Sequence, residues 1–268
     1  MKTLLTPFYP MFSVFTASNT CDQERSTVYV YEDEGVGKNS LNQILSTFQK
    51  LIKNYSVKTI NSEKVKEGVW NKHAIVLIIP GGADLLYVKK LNGKGNEVIQ
   101  TYVKEGGSFL GICAGSYYGS SYVEFDKNGP SEVLESRELG FFKGHAIGPI
   151  LAPYDHNTQS GGRAVTLYTT LPNVKKTIVF YNGSGFFQNA EQYPNTRVIG
   201  TYDHGLPALI FIHYGKGKVL LSGVHFEYDP SLINTDNQHM QKIKESLRED
   251  NEVREVLFKD LMTLIGVK

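Results

Sequence analysis

The sequence predicts an α/β fold, a doubly wound and mostly parallel sheet with added strands in its second half. Three observations carry this. Strand-like and helix-like segments alternate through the first ~115 residues, the rhythm of βαβ units. Two apolar runs, residues 73–82 (HAIVLIIPGG) and 108–112 (SFLGI), are continuous, as in strands covered on both faces. Further on, β-rich segments follow one another with little helix between them, so one mixed sheet is expected to serve the whole chain.

Residues 27–33 (TVYVYED) are rich in β-branched and aromatic side chains and read as the first strand. Gly35 and Gly37 break it, and Ser40 is placed to cap the next segment. Leu41, Ile44, Leu45, Phe48, Leu51 and Ile52 then recur at helical spacing and mark an amphipathic helix. A second strand is expected at residues 55–61, a third in the run ending at Gly82, a helix over 95–105 and a fourth strand at 108–112. In the second half, RAVTLYTT, KTIVFYNG, RVIGTYD, ALIFIHYG and KVLLSGV read as strands, the last two joined by a glycine-containing hairpin. Helices are expected over 233–248 and 252–264.

The composition excludes several functions. Lys plus Arg number 28 and Asp plus Glu 27, a net charge of +1 that gives no footprint for nucleic acid or an anionic membrane. The seven histidines and two cysteines show no zinc spacing, so no metal and no cofactor are expected. Cys21 and Cys113 are expected to be free thiols, in a reducing cytoplasm. Residues 1–26 read as an irregular arm. The alternative is an export signal at residues 1–20, where Lys2 precedes apolar residues, but Pro7 and Pro10 interrupt the run. Residues 27–268 are expected to form one domain.

The chemistry centres on Gly111-Ile112-Cys113-Ala114-Gly115. It is the cysteine form of a nucleophile elbow, a tight turn between strand and helix in which larger flanking side chains would collide. Residues 115–123 are read as the helix that follows. A thiol nucleophile needs a base and a residue that orients the base. His225 and Glu227, two apart at the end of an apolar strand, would point to the same side. Gly81-Gly82 lets backbone approach a ligand closely, and the amides of Gly82 and Ala114 would make a two-donor oxyanion hole. Taken singly, each element is also consistent with ordinary core or turn packing.

In this order the elements resemble the class I glutamine amidotransferases. The resemblance implies a flavodoxin-like fold and a Cys113–His225–Glu227 triad. PGGADLLYV, GGSFLGICAGSYYGSSYVEF, SRELGFFKGHAIGP, SGGRAVTL, YNGSGFF and GKGKVLLSGVHFEY more closely resemble the amidotransferase-like domain at the N-terminus of biotin–protein ligases. Two positions depart from the amidotransferase pattern. Tyr117 stands where glutamine usually helps hold the substrate, and Phe226 replaces the proline of H-P-E. The first argues against free glutamine. Ligation would need a separate domain with a biotinyl-adenylate loop, and the nearest match, SGGRAV, lies inside the amidotransferase-like region.

The expectation is therefore a cysteine hydrolase or amidase acting on an amide or acyl substrate. The alternative is a non-catalytic ligand- or protein-binding module, associated with a biotin–protein ligase as a separate partner. Gly81, Tyr117, Tyr181 and Glu124 are the expected substrate contacts. Glu124 and Arg137 would otherwise pair with each other, and the loop at residues 182–187 would close over the pocket.

Overall fold

β1 (Thr27–Tyr31) and β3 (Ala74–Ile79) lie side by side at the parallel end of a nine-stranded sheet. The computed structural model describes residues 25–152, 154–155, 158 and 160–268. The readings made for residues 1–24 of the N-terminal arm, Cys21 among them, lie outside these residues. The remaining parallel strands are β2 (Ser56–Ile60), β4 (Ser108–Ile112) and β13 (Gly217–Ser222), in the order β2-β1-β3-β4-β13. Beyond β13 the sheet continues antiparallel through β12 (Pro207–Tyr214), β11 (Thr196–Thr201), β8 (Gly162–Thr169) and β9 (Lys176–Asn182).

The alternation of side chains sorts the core into two layers. Val76 and Ile78 of β3 face one side, with Ile44 and Phe48 of α1 (Lys38–Leu51) and Phe258 and Leu261 of α7 (Asn251–Leu264). Leu77 and Ile79 face the other. There they join Tyr87 of α3 (Asp84–Leu91), Tyr102 of α4 (Lys94–Lys104) and Tyr118 of α5 (Ala114–Tyr118). Each such side chain contributes about 1.5–3 kcal/mol of transfer free energy. This explains why the parallel strands read as unbroken apolar runs.

Three expectations need correction. Ser40 is not a cap: α1 begins after Gly37, and Ser40 lies inside it, accepting a hydrogen bond from the Gly81 N–H at 2.9 Å. The helix after the elbow is only five residues long, and Ser120–Phe125 is already strand β5. The strong β propensity of that segment outweighs its helical reading, because β5 has partners in a second sheet. One sheet therefore does not serve the whole chain. β5 pairs with β6 (Val133–Ser136) and β7 (Phe142–Gly148), and β7 with β10 (Phe186–Phe187), in a separate four-stranded sheet. Two further helices, α2 (Ser62–Glu67) and α3, were not foreseen.

The C-terminal helices are α6 (Gln238–Glu249) and α7. Arg254 of α7 is 2% exposed and donates to the carbonyls of Tyr228, Ile178 and Leu247 and to Asn251 Oδ1, at 2.9–3.1 Å. Burial pulls its guanidinium down to about 10 against the charges of Asp229, Asp250 and Glu255. Removing the donors strands three carbonyls, whereas the buried charge itself is costly. Arg254→Met is therefore expected to lose about 2–3 kcal/mol in urea unfolding. An unchanged midpoint would show that these bonds add nothing net.

Candidate active site

Cys113 sits between β4 and α5 with φ 53° and ψ −111°, a conformation that L residues rarely adopt. The flanking glycines make the turn possible. A Cβ on Gly111 would lie 2.4 Å from the Gly115 carbonyl oxygen, and one on Gly115 would lie 2.0 Å from that of Ile79. Cys113 as a residue is partly exposed, and it is the free cysteine among the described residues.

The chain continues from β13, the neighbour of β4, to His225 and Glu227. Backbone bonds between His225 and Phe180 of β9 fix the segment. The His225 Nδ1 and Glu227 Oε1 atoms are 2.7 Å apart, with the two residues 3% and 1% exposed. That pairing leaves Nε2 as the free ring nitrogen, and the imidazole lies beside Cys113: a Cβ on Gly81 would meet both His225 Cε1 and Cys113 Cβ. Cys113, His225 and Glu227 are thus brought together although 111 residues lie between the cysteine and the histidine.

The electrostatics of the pair follow from competing causes. Burial alone would raise the thiol, but the hydrogen bond and charge of His225, with the Ser184 hydroxyl and the Ala114 amide, bring it below its ordinary value. Burial alone would lower the imidazole, but the Glu227 carboxylate and the sulfur push it up to about 10. Both directions favour a thiolate–imidazolium pair. The Asn182 carbonyl oxygen, 3.6 Å from Sγ, is a long contact that only the protonated thiol can use.

Gly81 and Gly82 border the sulfur. A Cβ on Gly81 would lie 2.9 Å from His225 Cε1 and 3.3 Å from Cys113 Cβ, so only glycine lets the backbone pass here. Gly82 forms an isolated antiparallel bridge with Val36. Its hydrogen bonds are made by neighbours, Gly37 N–H to Gly81 O and Ala83 N–H to Gly35 O. The Gly82 N–H therefore points away from that bridge. Both glycines, with Cys113, Ala114 and His225, line a cleft of ≈ 1010 Å³.

The other expected contacts divide. Tyr117 lines the cleft, its hydroxyl donating to the Gly183 carbonyl at 3.3 Å. Asn182 and Gly183 of the glycine-rich loop also line it. Tyr181 does not: its hydroxyl is buried, accepting from the N–H groups of Ile150 and Leu151 and donating to the Ser184 carbonyl. Its position on β9 turns it into the core, where Tyr202 meets its ring. Glu124 is also absent from the described cleft wall. It pairs with His145 Nδ1 at 2.9 Å and not with Arg137, which instead holds Asp84 through Nε and Nη2, both at 2.8 Å. The parallel β5–β7 pairing sets Tyr122 opposite His145 and brings that ring to Glu124.

A polar stripe of α1 was missed. Ser40 holds Gly81, Gln43 bonds both N–H and C=O of Asp229, and Thr47 donates to the Glu227 carbonyl at 2.7 Å. Lys50 extends the stripe to the Asp229 carboxylate at 3.0 Å. Spacings of three, four and three residues place all four on one helix face. That periodicity is legible in the sequence, where these polar residues interleave with the apolar stripe of the same helix.

The family described as Biotin-protein ligase, N terminal, matches residues 26–268. The chain belongs to that family. An uncharacterised protein of Chlamydia muridarum is 32% identical over 248 residues, 88% of this chain and 95% of that protein. The biotin–protein ligase of Schizosaccharomyces pombe is 30% identical over 212 residues, 75% of this chain; the match spans 33% of the ligase's length. Among solved structures, the cytoplasmic protein STM1381 of Salmonella typhimurium superposes with a TM-score of 0.48 at 14% identity, over 90% of this chain and 99% of that one. No helix among the described residues is long and apolar enough to cross a membrane.

Proposed function

We propose that this member of the biotin–protein ligase N-terminal family is a cysteine-dependent acyl hydrolase or amidase. The observation that carries the reading is the pairing of a strained, partly exposed Cys113 with a buried imidazole held by a carboxylate. In the reaction, the Cys113 thiolate adds to an acyl carbon and the carbonyl oxygen becomes an oxyanion. The N–H groups of Gly82 and Ala114 hold it, a contribution of about 3 kcal/mol per donor in comparable sites. As the intermediate collapses, the C–N bond breaks and the His225 imidazolium gives its proton to the departing amine. Water then adds to the thioester with His225 as base. The carboxylic acid leaves and the thiol is restored. Glu227 holds the ring and offsets its charge throughout.

The test uses p-nitrophenyl acetate, an activated acyl donor. Wild-type protein is expected to release a burst of one p-nitrophenolate per chain and carry the acyl mass on the Cys113 peptide; Cys113→Ser should show neither. Acylation elsewhere, or none at all, would sink the assignment. A second reading is a non-catalytic module working with a biotin–protein ligase, in the cytoplasm. It is supported by the fission yeast relative, most of whose length lies outside the match. A stable complex with a biotin–protein ligase, unaffected by Cys113→Ser, would favour it.

A further inference from the structure

The cleft has two apolar walls. His225 must give its proton to the leaving group, so that group lies against the wall touching this ring. Phe180 and Tyr228 form it, with ring centroids 5.7 and 4.8 Å from the imidazole, and Met240 and Ile233 continue it. The acyl remainder is left with the wall carried by α5, β5 and β6. There Tyr117 meets Phe125 edge-on at 5.7 Å, and Phe125 meets Tyr154 at 5.4 Å. Val123, Val133 and Leu85 extend the same lining, and Leu85 is 42% exposed.

The two carboxylates of the cleft lining are already engaged, and among the described residues Lys38 of α1 is its one other formal charge besides His225. Asp84 is held by Arg137, whose side chain is wholly buried and also meets Glu135. Glu132 accepts from the Asn128 N–H at 2.6 Å. A free amino acid brings an ammonium and a carboxylate, each needing a partner or water. An alkyl or aryl chain needs only dry surface, which these rings supply.

We infer that the wall of Tyr117, Phe125, Val133 and Leu85 is an acyl pocket, and that the substrate is an amide of an apolar carboxylic acid rather than of an amino acid. This rests on the acyl-transfer reading above, and the test separates the two. Purified full-length protein is given p-nitrophenyl acetate, butyrate and octanoate, and separately γ-glutamyl-p-nitroanilide. Rates are corrected by the Cys113→Ser variant, and adducts are located by mass. Octanoate is expected to acylate Cys113 at least about tenfold faster than acetate, a conservative return on burying six methylenes. Leu85→Asp, at a half-exposed position where folding is not at risk, should lower the octanoate-to-acetate ratio several-fold. Equal rates for the three esters, or preferred turnover of the γ-glutamyl compound, would overturn the acyl pocket while leaving the nucleophile standing. Absence of any Cys113 adduct would remove both.

Discussion

Alkylation of Cys113 by iodoacetamide is expected to reach its plateau at a lower pH than an ordinary thiol does and to hold it to about pH 9, and His225→Gln should abolish that early plateau. The thiolate is the reactive form. With its pKa held below the ordinary value, it persists above that lowered value and is lost only as pH falls through it. The imidazolium, raised to about 10, persists until pH climbs through that value. Between the two limits the pair is intact and the rate has no reason to change. Without His225, burial is left largely unopposed and the thiol moves upward. Below the ordinary thiol range the variant should therefore react more slowly than wild type, by a factor that grows as pH falls toward the lowered value. Above about pH 10 the two proteins should converge. If the wild type instead rises through the usual thiol range and overlays the variant, desolvation has won and the pair is neutral.

The parallel half of the sheet was legible because burial on both faces leaves an unmistakable residue pattern. Leu77 and Val76 are both apolar since each faces its own helical layer. The elbow was legible because its glycines answer a local steric demand. The second sheet was not, because β5 is specified by partners distant in the chain: Ser120 finds Phe142 and Val123 finds Ala146. The β propensity of Ser120–Phe125 does not by itself say which sheet receives it. The His225–Glu227 contact was legible as a spacing of two, although the chain there bends instead of staying extended. Tyr181 and Glu124 were misread because presence near a motif does not give direction. Tyr181 turns into the core, while its chain neighbour Asn182 lines the cleft.

Gly115→Ala should cost at least about 3 kcal/mol, and Cys113→Gly should gain about 1 kcal/mol while ending all reactivity. The two changes act on one turn with opposite signs. At Gly115 the added methyl would lie 2.0 Å from the Ile79 carbonyl oxygen, a backbone atom of β3 that cannot rotate aside. Either α5 moves off the sheet or β3 gives way, and both disrupt packing where Ile79 and Ala114 are buried together. At Cys113 the strain is already present, in a φ of 53° that glycine adopts freely. Replacing it also removes the interaction of the thiol with His225, but bringing two such groups out of water costs desolvation, so its loss offsets little of the gain. Urea unfolding of the two variants beside wild type reads both effects. A less stable Cys113→Gly would mean that the turn is relaxed and the cysteine is there for packing. A more stable one would mean that the fold holds a reactive side chain in a conformation it would otherwise abandon, the signature expected of a site kept for chemistry.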